Sequence, residues 1–382
     1  MPGRCPASWY HSSESELRLT GKTMATFDVL LPVKNGIDYL AESIESICQQ
    51  TYRDWRLLVL DHGSDDGSYE LAEAYAKRDP RIVVHRLPWA NGLAGLLNAG
   101  LDLCDCKYVM RQDADDVSLP HRMQMLANAL DDDDELVLVG SLGDVIDASG
   151  RKIGMLDMPT GQYGVLISTP FRTPVAHPTV AMRFDAIQRL GARYGVDFIG
   201  AMPEDKRIQV PGLAEDYFLF GQLALVAHCT NIGQSLIKYR WHGANVGATK
   251  YVDQTQVALN ISRYLTESLS IMLGINSFDP APFCNHGVNL INFNDRLDFT
   301  EEYREMRQML TRAMPHSAEL HRELSYRKVI ANRSKPVMAA RYFAHSQRFG
   351  VHHVEWRTVR SWLINGLKKQ PILTLTPSGL TA

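Results

Sequence analysis

Short apolar runs alternate with amphipathic stretches over the first third of the chain. The predicted elements are, in chain order, a strand at 27–31, a helix at 40–50, a strand at 56–60, a helix at 69–77, a strand at 82–84, a helix at 93–101 and a strand at 108–110. Such alternation is typical of βαβ units, whose parallel strands form one sheet covered by helices. The pattern predicts an α/β fold with a doubly wound, mostly parallel sheet.

Beyond residue 120 the pattern becomes less regular. The predicted elements here are a helix to about 130, a strand at 136–140, a helix at 214–228 that begins with Glu215 and Asp216, and a strand at 236–240. Residues 141–212 are mixed and rich in loops. From about residue 252, strand patterns nearly vanish and helical patterns continue to about 369.

This change of pattern divides the chain into three parts. Residues 1–24 are polar and patternless, so we expect a disordered extension there. Residues 25–250 are predicted to form the α/β domain. Residues 251–382 are predicted to form a helical C-terminal region.

Composition and charge limit the classes of partner. The chain has 382 residues, of which 45% are hydrophobic and 22% charged, a composition that supports a core without disulfides or structural metals. The formal net charge of -3 provides no basic field for nucleic acid, so no nucleic-acid partner is expected. No run reaches the roughly 18–20 apolar residues of a membrane-spanning helix. The first residues also lack the apolar segment of a signal peptide, and together these features favour a cytoplasmic protein.

The six cysteines lack the spacing of a disulfide framework or a zinc site. Cys104 and Cys106 form a C-x-C sequence, which invites a metal-binding interpretation, but no second pair accompanies them. Buried or half-buried thiols in a reducing cytosol are the favoured interpretation.

Three polar loops directly follow predicted strands. They comprise residues 32–36, 61–67 and 111–116. Ligands of doubly wound sheets bind at the carboxyl ends of the strands, so we expect the three loops to share one rim.

The loop 111–116 offers two carboxylates to one cation. An extended chain places Asp113 and Asp115 on the same side, because side chains alternate along a strand. Hard oxygen ligands suit Mg²⁺ or Mn²⁺, and such an ion can stabilise a departing nucleotide diphosphate. The alternative is an acidic turn that caps the helix near Pro120, and from this loop alone the two interpretations are evenly balanced.

An ordered set of motifs resembles the inverting family 2 glycosyltransferases. The matching segments are 28–36 (DVLLPVKNG), 43–47 with 50–52 and Trp55, 61–68 (DHGSDDGS), 91–93 with 98–100, 111–116 with Pro120 and Arg122, 177–180 (HPTV), Glu215 with Asp216, and 239–242 (YRWH). They cover about residues 27–245. No single motif would be enough to indicate the family. The resemblance rests on the whole set of motifs, which occur in the same order as in the family.

The resemblance implies a GT-A fold, a nucleotide-diphospho-sugar donor and a divalent ion, either Mn²⁺ or Mg²⁺. By position, the donor-binding residues would be Pro32, Lys34, Asn35, Asp61, His62, Asn91, Asp113 and His177, and the metal ligands would be Asp113, Asp115 and His242. The alternatives are a purely structural role for His177, and for His242 a contact with the diphosphate or an ordinary position in a polar loop. The acidic pair Glu215-Asp216 would be catalytic, with Asp216 as general base. It would take the acceptor hydroxyl proton during attack opposite the leaving group, which inverts the anomeric configuration. Alternatively, both acids only complement a helix dipole.

Two positions depart from the family pattern. Many relatives have two adjacent acids where this chain has Asp61 and His62. An acid can accept a hydrogen bond from a uracil ring nitrogen, whereas a neutral histidine has only one acceptor nitrogen. Leu97 stands where a basic residue is common. Because of these two departures, the sequence does not identify the nucleobase of the donor.

The predicted function is hexosyl-type transfer from the donor to a glycan or lipid-linked acceptor in cell-surface or exopolysaccharide synthesis. One alternative is a catalytically silent nucleotide-sugar-binding module. A sugar nucleotidyltransferase is disfavoured, because its first strand usually precedes a glycine-rich phosphate loop and residues 32–36 contain a single glycine.

A helical stripe near the C-terminus has two interpretations. Its apolar residues are Trp356, Val359, Leu363 and Leu367, with arginines and lysines nearby. Such a helix can lie on an anionic membrane, which would bring the enzyme to the cytoplasmic membrane face beside a lipid-linked acceptor. The favoured interpretation is a stripe that faces the protein core.

Overall fold

The computed structural model describes residues 25–242, 250–284, 296–314 and 316–365. The predicted extension at 1–24 lies outside the described residues. The strands are β1 (Ala25–Val33), β2 (Trp55–Asp61), β3 (Ile82–Arg86), β4 (Cys106–Arg111), β5 (Val117–Ser118), β6 (Leu136–Ile146), β7 (Lys152–Leu156), β8 (Ala181–Arg183) and β9 (His228–Arg240).

Helices separate most of these strands and form the C-terminal region. They are α1 (Ile37–Cys48), α2 (Ser68–Ala76), α3 (Gly92–Asp102), α4 (Arg122–Asp131), α5 (Gln162–Ser168), α6 (Phe184–Arg189), α7 (Glu215–Val226), α8 (Tyr251–Leu273), α9 (Thr300–Ala313), α10 (Ala318–Ile330), α11 (Lys335–Phe349) and α12 (His353–Asn365). Single 3-10 turns occur at His177–Thr179, Glu204–Lys206 and Ala281–Phe283.

The strands form one sheet in the order β3-β2-β1-β4-β8-β6-β9-β5, with β7 paired to β6. Pairs β1–β2, β2–β3, β1–β4 and β6–β9 are parallel. Strands β8, β5 and β7 run antiparallel to their neighbours. Among the described strands, β1, β2, β3, β4, β6 and β9 therefore point the same way, which confirms the predicted mostly parallel α/β sheet.

The sequence pattern misses the three antiparallel strands and underestimates two others. β5 and β8 have two and three residues, too few to show a period. β6 and β9 are longer than the predicted 136–140 and 236–240, because their polar residues pair with each other in the sheet.

Helices cover both faces of the parallel half of the sheet. Along β1, Phe27 and Val29 join one hydrophobic cluster with Leu40 of α1, while Leu30 joins a second cluster with Leu97 of α3. Burial on both faces explains why these strands are continuous apolar runs in the sequence. It leaves the strand ends as the places where polar loops reach solvent.

The C-terminal helices build their own cluster against the α/β domain. Ser262 Oγ of α8 lies 2.9 Å from the Tyr217 hydroxyl of α7, and the Arg327 guanidinium of α10 lies 4.1 Å from the Phe171 ring centroid. Within the part of the chain described here, no helix is long and apolar enough to cross a membrane.

The described part of the C-terminal stripe packs on neighbouring helices. Val359 is fully buried, Leu363 packs beside it, and the Trp356 ring stacks on Tyr342 with centroids 5.5 Å apart. Leu367 lies outside the described residues. These contacts account for the apolar stripe up to Leu363.

Gly140 of β6 tests the packing at the centre of the sheet. A Cβ at this position would lie 2.3 Å from Asn231 Oδ1 and 2.3 Å from Val175 Cγ1. We expect Gly140→Ala to lower the free energy of unfolding by about 1–3 kcal/mol, measured by urea denaturation, because the interior cannot absorb the methyl group. Gly154→Ala in β7 is the control, since its Cβ would meet the nearest atom at 3.7 Å. Equal losses in both variants would contradict this account.

Candidate active site

The loops after β1 and β2 are hydrogen-bonded to each other. The His62 backbone N–H donates to Val33 O at 2.9 Å, and the Asn35 N–H donates to Ser64 Oγ at 3.0 Å. The Asp65 N–H in turn donates to Asn35 Oδ1 at 3.0 Å. Asn35 has a φ of 54°, a left-handed conformation that asparagine adopts more readily than most residues. The two loops thus form one preformed ledge.

The predicted donor-binding residues in and beside this ledge (residues 32–36 and 61–67) differ in their exposure to solvent. Pro32 is buried in the end of β1, whereas Lys34 and Asn35 are exposed. Asn91 is exposed at the start of α3, beyond the carboxyl end of the neighbouring strand β3.

Asp61 and His62 are adjacent in sequence but have different surroundings. Asp61 is fully buried, and its oxygens accept hydrogen bonds from the backbone N–H groups of Gly63 at 3.0 Å and Ser64 at 3.1 Å. Arg86 lies 3.5 Å from its carboxylate. The His62 ring is half-buried, and its Nε2 donates to Ala90 O at 2.8 Å. Asp61 shapes the loop, and His62 is the side chain of this pair with open surface.

The acidic loop turns instead of staying extended, so the predicted alternation of Asp113 and Asp115 is wrong. Strand β4 ends at Arg111, and the Asp116 N–H donates to Asp113 O at 3.3 Å. The Gln112 side-chain amide favours this turn by donating to Asp116 O at 2.8 Å. The Asp113 and Asp115 side chains nevertheless stay 28% and 29% exposed. They are also close enough that the Asp115 charge adds to burial in raising the pKa of Asp113.

Strand β9 brings His242 to this loop. His242 Nε2 lies 2.9 Å from Asp115 Oδ2, so two of the predicted metal ligands are neighbours. The Arg240 N–H donates to Asp116 Oδ1 at 2.8 Å, and Arg240 Nε donates to Asp115 O at 2.9 Å. A carboxylate beside an imidazole, with a second carboxylate in the same loop, is a donor set that suits Mn²⁺ and also serves Mg²⁺.

A buried guanidinium separates the acidic loop from His177. Arg111 is 1% exposed, and its Nη2 donates to Asp113 Oδ1 at 2.5 Å. Its Nε donates to His177 Nε2 at 3.2 Å, and the Tyr194 hydroxyl lies 3.4 Å from the same nitrogen. Burial lowers the pKa of His177 well below its ordinary value, and the Arg111 charge lowers it further. His177 is therefore a neutral hydrogen-bond acceptor beside the site.

The acidic pair begins helix α7, after Ala214 in a strained left-handed conformation with a φ of 58°. Burial, reinforced by the Asp216 charge, raises the pKa of Glu215 to about 8. Burial also raises the pKa of Asp216 to about 6, with the Asp113 charge acting in the same direction. Glu215 is only 4% exposed, whereas Asp216 keeps open surface although protein surrounds it. Asp216 is the member of the pair that a substrate hydroxyl can reach.

A second set of side chains that could bind a metal lies near the amino ends of β1 and β4, away from the polar loops. The ligand atoms of Asp28, Cys104 and Cys106 lie within 4.8 Å of one another. Both Asp28 oxygens already accept hydrogen bonds from Arg56 at 2.7 Å, and the Asp105 N–H donates to one of them at 2.8 Å. The neighbouring Cys104 thiol and burial raise the pKa of Cys106. These contacts fit neutral thiols beside an ion pair, as the thiol interpretation expects.

Sequence reasoning missed the polar core beneath the acidic loop. Arg122 is fully buried and donates to Gln112 Oε1 at 2.9 Å, Ser118 Oγ at 2.8 Å, Arg111 O at 2.7 Å and Pro178 O at 2.6 Å. The signal was available, because Arg122 follows the acidic signature in the motif set. Without that motif, an arginine in an amphipathic helix is predicted to lie on the surface.

Comparison with known proteins identifies relatives of more than half of the chain. The family model described as "Glycosyl transferase family 2" matches residues 28–191. The uncharacterised glycosyltransferase MJ1057 of Methanocaldococcus jannaschii is 30% identical over 206 residues, which cover 53% of this chain and 68% of that protein. The O-antigen biosynthesis glycosyltransferase WbnJ of Escherichia coli is 29% identical over 227 residues, which cover 56% of this chain and 79% of that protein.

Solved structures include a match across most of the chain. The crystal structure of residues 1–349 of S. aureus TarS in complex with UDP-GlcNAc is 14% identical and aligns with a TM-score of 0.49. The alignment covers 89% of this chain and 91% of that chain.

Arg122 provides a test of the polar core. We expect Arg122→Leu to lower the free energy of unfolding by about 3 kcal/mol, because four buried oxygens lose their donor. Urea denaturation followed by circular dichroism measures the loss. Arg151→Leu is the control, since the Arg151 side chain is 82% exposed and its ion pair with Asp147 is on the surface. The account fails if both variants are as stable as the wild type.

Proposed function

The chain belongs to glycosyltransferase family 2 and has that family's GT-A fold, and we propose that it is an inverting, metal-dependent enzyme. It transfers a sugar from a nucleotide-diphospho-sugar donor to a hydroxyl group of a glycan or lipid-linked acceptor. One observation carries this proposal. In the partly exposed acidic loop, Asp115 Oδ2 lies 2.9 Å from His242 Nε2, and the Asp113 charge of the same loop adds to burial in raising the pKa of Asp216.

The donor half of the site consists of the ledge and the acidic loop. Asp115 and His242, which lie 2.9 Å apart, would hold the divalent ion, with Asp113 in the same loop. When bound, the ion stabilises the negative charge of the departing nucleoside diphosphate. Arg111 and Gln112 keep the loop turned, so that the carboxylates are oriented before the donor binds.

The acceptor half of the site is centred on Asp216. With a pKa of about 6, this carboxylate is ionised at neutral pH and still basic enough to accept a hydroxyl proton. The acceptor oxygen forms its bond to the anomeric carbon while the bond to the diphosphate oxygen breaks, and the proton passes to Asp216. Glu215, whose pKa is about 8, stays protonated at pH 7 and adds no second charge.

The biological setting follows from the relatives and the thiols. WbnJ is named for O-antigen biosynthesis, which supports cell-surface or exopolysaccharide glycans as the product class. Cys104 and Cys106 lie close together as free thiols, which supports a reducing, cytoplasmic location. A lipid-linked acceptor would bring the enzyme to the cytoplasmic membrane face.

Replacing Asp115 tests the proposed metal site. Asp115→Ala should reduce Mn²⁺-dependent nucleotide release and sugar transfer by about 100-fold or more, because the transition-state charge loses its main counter-charge. Asp134→Ala, in an exposed acidic turn, is the matched control and should keep full activity. Transfer that survives both Asp115→Ala and EDTA would disprove the metal assignment.

The pH dependence of kcat tests the base assignment. Activity of the wild type should fall as pH drops below about 6, because protonated Asp216 cannot accept a proton. Asp216→Asn should lose about 1000-fold in kcat and show no such acid limb. Asp185→Asn, an exposed carboxylate of α6, is the control.

Two outcomes would change this assignment. An Asp216→Asn enzyme with wild-type kcat would remove Asp216 from the mechanism. Calorimetric binding of nucleotide sugars without turnover on any acceptor would favour the silent binding module instead.

A further inference from the structure

Helices α11 and α12 form an antiparallel pair, the C-terminal hairpin (residues 335–365). The Trp362 indole N–H, late in α12, donates to Arg333 O at 2.9 Å, just before α11 begins. The Trp356 ring, early in α12, stacks on Tyr342 in the second half of α11. The two helices therefore run side by side in opposite directions.

Both helices of the hairpin turn one side toward α10. On α11, Arg341 Nη1 donates to Lys328 O of α10 at 2.8 Å. On α12, the Glu355 carboxylate lies 3.0 Å from Arg322 Nη2 of α10. These contacts define an inner side of the hairpin, and the opposite side is its outer face.

The outer face exposes large apolar side chains. Successive residues of an α-helix are about 100° apart. Phe343 follows Arg341 by two residues, so it lies about 200° round α11 from the contact with α10. Ile364 follows Glu355 by nine residues and lies about 180° round α12 from its contact. Both side chains therefore point away from α10, and they are 66% and 63% exposed.

Such exposure is unusual in the part of the chain that the structure describes. Its four most exposed large apolar side chains are those of Trp89, Val351, Phe343 and Ile364, and the last three belong to the hairpin. Val351 lies in the turn between α11 and α12. The stripe around Val359 is a different surface of α12, because it packs inward. Apolar side chains exposed together indicate an interaction surface.

The exposed charged side chains of the hairpin are all cationic. Its residues include five lysines and arginines and a single carboxylate, Glu355. Glu355 is buried and lies 3.1 Å from His345 Nε2 in addition to its α10 partner. Lys335, Arg348 and Arg360 are exposed, and Arg360 lies on the outer face one turn before Ile364.

This combination matches the boundary of an anionic lipid bilayer. Interfacial helices place apolar and aromatic side chains among the acyl chains while their lysines and arginines contact the headgroups. Anionic lipids attract each such cation, and a neutral bilayer does not. A nucleic-acid backbone would pair with the cations but would leave Phe343 and Ile364 in water.

We propose that the outer face of the C-terminal hairpin is a membrane-binding surface that recognises anionic phospholipids. Phe343, Val351 and Ile364 enter the bilayer boundary, and the exposed cations contact the lipid phosphates. The contact is made by the protein itself, so it holds the chain at a bilayer independently of the transfer chemistry proposed above.

Co-sedimentation with lipid vesicles tests the wild type. The full chain is mixed with vesicles of phosphatidylcholine alone or with about one third phosphatidylglycerol. We expect at least about tenfold tighter binding to the anionic vesicles. Raising NaCl from about 0.1 M to about 0.5 M should weaken that binding, because salt screens the attraction between the cations and the surface.

Single substitutions test the apolar part of the surface. Phe343→Asp and Ile364→Asp should each weaken binding to anionic vesicles by about tenfold, because each removes a side chain from the boundary and adds a repelled charge. Trp89→Asp is the matched control, since it makes the same charge change at a 72% exposed aromatic residue outside the hairpin. It should bind vesicles as the wild type does. Circular dichroism checks that all three variants are folded.

A double substitution tests the cations. Lys335→Gln with Arg360→Gln should lower the preference for anionic over neutral vesicles to about threefold or less. Lys77→Gln with Arg78→Gln removes two exposed cations at the end of α2 and is the control for net charge. This control should keep the wild-type preference.

Four outcomes would overturn the membrane assignment. They are wild-type protein that binds neither kind of vesicle or binds both equally, Phe343→Asp with wild-type affinity, equal losses in Phe343→Asp and Trp89→Asp, and a wild-type dimer in analytical ultracentrifugation that Phe343→Asp dissociates. The last result would assign the face to a second copy of the chain. All four leave the transferase proposal intact, because the Asp115 and Asp216 variants test it without lipid.

Discussion

The buried guanidinium of Arg122 is the interaction on which the active-site rim depends. A loop that leaves a parallel strand has backbone groups without ladder partners, and those below the acidic loop are enclosed by protein. Arg122 donates to the carbonyl oxygens of Arg111 and Pro178, to the Gln112 side chain of the loop and to the Ser118 hydroxyl of β5. The Arg122 guanidinium therefore connects the end of β4, the acidic turn and the segment that carries His177.

The negative charges of the acidic loop and the positive charge of Arg122 compensate each other. Burial, together with the Arg111 charge, lowers the pKa of Arg122 to about 9, although the Asp116 and Asp113 charges oppose that shift. Burial raises the pKa of Asp116 well above its ordinary value, with the Asp115 and Asp113 charges adding to the effect. The fully buried Asp116 carboxyl group and the Arg122 guanidinium thus favour each other's charged forms.

Arg111 connects the two halves of the site. Its guanidinium pairs with Asp113. It also lies near Glu215 and Asp216, whose pKa values are raised by burial while the Arg111 charge acts in the opposite direction. Because it is almost fully buried, its field is weakly screened by water. Arg111 is therefore one fixed positive charge that acts on the carboxyl groups of both halves of the site.

The sequence alone determined the parallel half of the sheet, its flanking helices and the set of loops along one rim, because hydrophobic period and strand-end position are local properties of the chain. Only the tertiary structure decided the turn of the acidic loop, the inward position of Asp61, the pairing of Asp115 with His242 and the tautomer of His62. Each depends on groups distant in sequence, such as the carbonyl of Ala90 or the end of β9. The short strands β5 and β8 were missed for the same reason, since pairing rather than period defines them.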